Sequence, residues 1–141
     1  MNEELQRALD LLPHGPSFRF LDRLLSLEPG HSAAGEYRVR GDEPFLSGHF
    51  PGQPLFPGVL LVEAAAQLAG VAAQSDPTMR PLPSLKLTGL RAVKIFGTAL
   101  PGEVIRLEST ISGRLGNLVQ ARAVVYVGKI KVLEGEIILS G

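Results

Sequence analysis

Apolar residues first recur at helical spacing: Leu5, Ala8, Leu9 and Leu12 share one face and predict a short helix over 2–12, ended by Pro13. The period then changes. Residues 18–27 are apolar and β-favouring up to Pro29-Gly30, and 32–40 alternate through Glu36, Tyr37, Arg38, Val39 and Arg40 like a half-exposed strand. Residues 44–58, PFLSGHFPGQPLFPG, hold four prolines and three glycines among large apolar residues, which predicts an irregular connection. It leads into VLLVEAAAQLAGVAAQS, the one long helix signal. Pro57 sits where a helix start tolerates a missing N–H and Asp76-Pro77 stops the run, so the central helix is expected over about 57–75. A helix apolar nearly all round is one that other structure encloses. Strand-like runs follow at 85–96, 104–112, 118–127 and 130–139, punctuated by Gly97, Pro101-Gly102, Gly113 through Gly116, and Gly128. Short connections favour antiparallel pairing. The pattern predicts one α+β domain over 1–141, with about six strands in a curved antiparallel sheet around one helix.

Composition narrows the function. The 141 residues include no cysteine, which removes disulfides, thiolate catalysis and Cys-based metal centres. The first 15 residues lack the basic start and apolar block of a signal peptide. The central helix meets Glu63 and Gln67 too soon to span a bilayer, so a cytoplasmic protein without a membrane span is expected. Fourteen basic and fourteen acidic residues cancel, which argues against a nucleic-acid binder. The balance is uneven: residues 80–131 hold nine Lys and Arg against two acidic residues, and 44–79 hold only Glu63 and Asp76.

That charge-poor middle carries the candidate chemistry. Glu63 is the ionisable residue of the central helix, with Gln67 at i+4 on the same face. A buried carboxylate without a partner is costly, so Glu63 is paired, neutral or at a cavity wall; from the helix pattern alone a structural carboxylate is the commoner reading. His49 shifts that balance, because stiff Pro/Gly backbone delivers an imidazole, the usual general acid/base near neutral pH, just ahead of the helix. Gly58 opens the helix where N–H groups lack intrahelical acceptors and a ligand can approach the backbone. His14 and His31 read as solvated and inert. No second histidine completes a metal shell with His49 and Glu63, Ser47 and Ser84 lie in no GxSxG context, and the glycines at 113–116 form no phosphate loop.

Gly48-His49-Phe50-Pro51-Gly52-Gln53-Pro54, then Pro57-Gly58-Val59-Leu60, then Glu63-Ala64-Ala65-Ala66-Gln67, resembles the β-hydroxyacyl-acyl-carrier-protein dehydratases of FabZ type. A weaker likeness covers most of the chain, including Leu12-Pro13-His14, Phe20-Leu21-Asp22-Arg23 and Pro101-Gly102-Glu103. The resemblance implies the hot-dog fold and homodimers joined sheet edge to sheet edge, in many members assembled as trimers of dimers. It implies reversible dehydration of (3R)-3-hydroxyacyl thioesters to trans-2-enoyl thioesters without metal or cofactor. His49 of one subunit would take the C2 proton, and Glu63 of the other would protonate the departing hydroxyl. Gly58 N–H would polarise the thioester carbonyl, and Gln67 would orient Glu63 or a water.

Two stretches depart from the pattern. Leu85-Lys86-Leu87 stands where relatives often carry aromatics associated with gating the acyl tunnel, and Ile95-Phe96-Gly97-Thr98 replaces a basic Phe-Lys-Arg-Pro stretch. Glu at 63 also differs from the Asp common in bifunctional dehydratase-isomerases. The partner implied is an acyl carrier protein; such carriers are acidic, so docking is expected at some of Arg80, Lys86, Arg91 and Lys94. The alternatives are a hot-dog acyl thioesterase, whose chemistry does not need His49, and a non-catalytic acyl-binding subunit of a lipid or polyketide pathway.

Overall fold

The computed structural model describes residues 1–48 and 52–141. Helix α1 (Glu3–Leu9) is capped by Asn2, whose Oδ1 accepts the Leu5 N–H at 2.9 Å, and carries Glu3 and Glu4 in its first turn. It stops short of residue 12 because the N–H groups of Leu11 and Leu12 tighten back onto the carbonyls of Ala8 and Leu9. The strand expected over 18–27 also starts late. Pro16–Phe18 form a 3₁₀ turn, and β1 spans Arg23–Glu28. The Phe18 carbonyl and the Phe20 N–H are taken by a glutamine side chain of the central helix, so neither is left for a strand ladder.

The remaining elements are β2 (Ser32–Arg38), a short helix α2 (Pro44–Gly48), the central helix α3 (Gly58–Gln74), β3 (Lys86–Ile95), β4 (Val104–Leu115), β5 (Leu118–Val127) and β6 (Ile130–Ser140). The six strands make one sheet in the order β1-β2-β4-β5-β6-β3, every neighbouring pair antiparallel. Two-residue turns join β4 to β5 at Gly116-Asn117 and β5 to β6 at Gly128-Lys129, with Gly116 at φ 59° and Gly128 at φ 60°, the left-handed values such turns require. The turn expected from Gly113 onward is therefore shorter: Gly113 lies inside β4 opposite Gln120, after a register shift. Strand β3 closes the far edge against β6. A bulge between Arg91 and Lys94 lays Val93 over Gly135, where a Cβ would stand 2.6 Å from the Val93 Cα.

Eleven of the 17 residues of α3 are buried, as its all-round apolar pattern predicts. Ala65, Ala69 and Ala72, fully buried beside Leu61 and Leu68, keep the helix close to the sheet, whose inward side chains include Ile105, Leu107, Val125, Leu133 and Ile137. The Ser109 hydroxyl donates to the Ala65 carbonyl at 3.3 Å across that contact. No described helix is long and apolar enough to cross a membrane.

An aromatic cluster braces the start of α3. Phe20, Tyr37, Phe45 and Phe56 stack at centroid separations of 5.6 to 5.9 Å, mostly edge to face. Phe45 belongs to α2 and Phe56 immediately precedes Pro57. Their 5.6 Å contact therefore ties the approach to the GHFPG segment to its exit. Phe56 is fixed in turn: its N–H donates to the Ala99 carbonyl at 2.8 Å and its carbonyl accepts the Thr98 hydroxyl.

Candidate functional site

Glu63, Ala66, Gln67, Gly70 and Gln74 fall on one stripe of α3 because their spacings of three and four residues repeat the helical turn. The stripe forms one wall of a cleft of about 690 Å³. Facing it are Leu82, Leu85, Leu87 and Leu139, and Leu11 to His14 close one side. Polar groups sit at intervals along an otherwise apolar slot, a common build for a site that takes an extended apolar ligand.

Glu63 is held inside this cleft. Its Oε2 accepts from Gln67 Nε2 at 3.0 Å and stands 3.4 Å from His14 Nε2. The Glu63 side chain is 21% exposed and that of His14 29%, so the carboxylate borders water without facing it freely. The Gln67 amide is buried and fully used. Its Oε1 accepts the Phe20 N–H at 2.9 Å, and its Nε2 donates both to the Phe18 carbonyl at 2.8 Å and to Glu63. One side chain thus fastens the 18–20 segment to the helix and holds the Glu63 carboxylate by a hydrogen bond.

Gln74, two turns on, repeats the device: its Nε2 donates to the Leu82 carbonyl at 2.7 Å, and its Oε1 accepts the Leu82 N–H at 2.9 Å. Arg114 reinforces the same end by donating to the carbonyls of Ala73 and Arg80. Among the described residues no three His, Asp or Glu side chains gather closely enough to hold a metal ion together.

His14 has a different place from the solvated one expected. It lies in the wall of the cleft beside Glu63, with its ring stacked 6.4 Å from that of Phe18. The available signal was its position in Leu12-Pro13-His14, ahead of the segment that Gln67 anchors. His49 lies outside the described residues.

Gly58 opens α3 behind Pro57, whose carbonyl accepts from both Leu60 and Leu61. The Gly58 and Val59 N–H groups thus precede the helical ladder. Gly58 packs against β3, and a Cβ there would come within 3.1 Å of Ile95 Cδ1. Five residues separate it from Glu63, a rotation of about 140° round the helix. Within one chain the two face different sides, Gly58 toward β3 and Glu63 toward His14.

Arg80, Lys86, Arg91 and Lys94 are all exposed, three of them on edge strand β3. Lys86 lines the cleft, and Arg91 pairs loosely with Glu136 at 3.8 Å. The β3 edge also exposes Leu87, Leu90 and Ile95, followed by Phe96, an apolar row on a strand with only one partner in the sheet.

Comparison with known proteins agrees with this architecture. A family model described as a FabA-like domain matches residues 12–136. The 3-hydroxyacyl-[acyl-carrier-protein] dehydratase FabZ of Moorella thermoacetica is 38% identical over 130 residues, covering 92% of this chain and 90% of that protein. The protein of the same name from Roseiflexus castenholzii is 38% identical over 136 residues, covering 96% and 94%. Among solved structures, the dehydratase heterocomplex ApeI:P from Xenorhabdus doucetiae superposes with a TM-score of 0.78 at 18% identity, covering 94% of this chain and 89% of that one. Cj0977, a sigma28-regulated virulence protein from Campylobacter jejuni, does so at 0.74 with 14% identity, covering 100% and 92%. At those identities the structural likeness speaks for the fold, and the fold is the hot-dog arrangement.

Proposed function

The chain belongs to the FabA-like family, and from that premise we propose that it is a single-domain 3-hydroxyacyl-[acyl-carrier-protein] dehydratase, a hydro-lyase of fatty-acid or related acyl-chain synthesis. The observation that carries the reading is the Glu63 carboxylate, oriented by Gln67 at the wall of an apolar cleft that would take the acyl chain.

The substrate is a (3R)-3-hydroxyacyl thioester on the carrier's phosphopantetheine arm. His49 takes the C2 proton while Glu63 gives its proton to the C3 hydroxyl, which leaves as water. Gly58 N–H steadies the negative charge that spreads onto the thioester oxygen. Since Gly58 and Glu63 face different sides of α3, the working site is completed by a second copy: His49 and Gly58 from one subunit meet Glu63 of the other. The copies join through β3, whose exposed Leu87, Leu90 and Ile95 fit an edge-to-edge homodimer. Three such dimers can assemble further, in the cytoplasm where the carrier is found.

The test uses a crotonyl thioester, following loss of enoyl absorbance and, separately, release of free thiol. Hydration without thiol release, abolished in both His49→Ala and Glu63→Gln, supports the dehydratase. Thiol release that survives His49→Ala identifies a thioesterase instead. Absence of both signals on carrier and coenzyme A substrates leaves an acyl-binding subunit.

A further inference from the structure

A general acid must carry its proton on the oxygen that faces the substrate. Among the described residues the two polar side chains beside the Glu63 carboxyl both meet it at Oε2: Gln67 Nε2 at 3.0 Å and His14 Nε2 at 3.4 Å. We propose that His14 is a positioning residue for the dehydration, acting with Gln67 to make Oε2 the acceptor side of Glu63 and so to keep the reactive proton on Oε1. The inference rests on the dehydratase reading and adds to it a residue outside the His49, Glu63 and Gly58 set.

The chemistry of the ring supports the direction of the contact. Nδ1 of His14 is buried and has no hydrogen-bond partner among the described residues. An unmet N–H there would be costly, so the hydrogen belongs on Nε2, which faces the carboxylate. At 3.4 Å the contact is longer than a formed hydrogen bond, and such contacts tighten when a site is loaded.

The ring is also well held. Pro13 precedes it, Arg19 Nη2 donates to the Leu12 carbonyl at 3.1 Å, and Phe18, stacked on the imidazole, is fastened to α3 through Gln67. The other charged groups nearby are Arg19, turned to that carbonyl, and Lys86 across the cleft.

With Gln67 donating to Oε2 and His14 Nε2 poised beside the same oxygen, Oε1 is the oxygen left to hold a proton. On dehydration the C2 proton passes to His49, the C3–O bond breaks, and the Oε1 proton leaves with the hydroxyl as water. The ionised Glu63 is then met by Gln67 and His14, which hold its geometry until it regains a proton from solvent and His49 releases the one it took.

Two measurements test this. Turnover of a 3-hydroxyacyl thioester is compared for wild type, His14→Leu and His14→Gln, the last keeping an N–H donor. The expected result is a fall in kcat of about tenfold or more in His14→Leu, with KM within about twofold, and recovery of most of the loss in His14→Gln. Wild-type kcat in His14→Leu, or equal losses in both variants, overturns the proposal. Independently of turnover, the ¹⁵N shifts of His14 in the unliganded protein should report the Nε2–H tautomer and move in Glu63→Gln. An Nδ1–H tautomer, or shifts indifferent to Glu63→Gln, overturns it as well. A wild type without dehydratase activity sinks the functional reading instead, and the tautomer measurement still decides the contact.

Discussion

Gln67 holds Glu63 from one turn further along the same helix, Nε2 to Oε2 at 3.0 Å, while binding the backbone of Phe18 and Phe20. A residue that looks like an accessory to the acid is therefore also a structural clamp, and its loss has two separable effects.

In Gln67→Leu the Phe20 N–H and Phe18 carbonyl lose their partner in the interior. Stability should fall by about 2–3 kcal/mol, read as a lower urea midpoint with an unchanged slope. Gln67→Glu sets a carboxylate against the Phe18 carbonyl and Glu63, and should cost more at neutral pH than in acid. A midpoint within error of wild type in both variants would mean that the clamp carries no stability.

Gly70 lies in the cleft wall at mid-helix, where glycine is unfavourable by about 1 kcal/mol relative to alanine. No packing demands it, since a Cβ would meet only Leu85 Cδ2 at 3.9 Å and Leu139 Cδ1 at 4.0 Å. Gly70→Ala should raise the melting temperature. Gly70→Leu should fill the slot and reduce kcat/KM for long acyl thioesters more than for four-carbon ones. Equal losses across chain lengths would separate the cleft from the acyl chain.

Leu90 is 52% exposed on the outer strand. On the homodimer proposed above, in which each copy holds only part of the site, Leu90→Lys should shift the sedimentation of the protein from dimer to monomer and remove activity. A dimeric, active Leu90→Lys would place the interface elsewhere.

The docking of an acidic carrier expected at some of Arg80, Lys86, Arg91 and Lys94 would make turnover salt-sensitive. Raising salt from about 50 to about 300 mM, a roughly 2.5-fold shortening of the Debye length, should lower kcat/KM on carrier-bound substrate. It should leave the coenzyme A thioester nearly unaffected. Matching salt responses for the two substrates would remove the docking role.

Glu43 supplies a pH signature. Partial burial pushes its carboxyl up, but hydrogen bonds from the Arg40 N–H, the Tyr37 hydroxyl and the Gly41 N–H outweigh this and hold it below the ordinary value. Burial, and then the Glu43 carboxylate, push the Tyr37 hydroxyl upward. A lowered folded value means stability present above the unfolded carboxylate range and lost as pH falls through the folded value. Wild type should therefore exceed Glu43→Gln in stability above about pH 5 and converge with it in acid. A difference that stays constant from pH 7 to 3 would contradict this.

Much of the fold could be read from the chain alone, where local signals and tertiary packing agree. Strand β5 falls on 118–127 as expected, bounded by glycines whose turns need left-handed backbone, and α3 lies within 57–75 between its two prolines. The departures come where a distant side chain competes with a local preference. Phe18 to Leu21 favour a strand, yet Gln67, nearly fifty residues away, takes their backbone groups. Arg114 looks like surface charge but fastens Ala73 and Arg80, while backbone pairing of Gly113 to Leu115 with β5 carries β4 past the expected turn. His14 reads as solvated from its immediate neighbours, whereas the fold brings it into the cleft wall beside Glu63. Gly58 and Glu63 look like neighbours in sequence, and only the helical rotation shows that one copy points them apart.

The two glutamine clamps, seven residues apart, act as the jaws of a calliper. Each grips backbone outside the sheet, Gln67 at Phe18 and Phe20 and Gln74 at Leu82, so both ends of the cleft are measured off one helix, about 10 Å apart along its axis. The length of the slot is thus dimensioned by the spacing of residues on α3, and moving the distal jaw by one helical turn would resize it by about 5 Å while leaving the Glu63 end untouched.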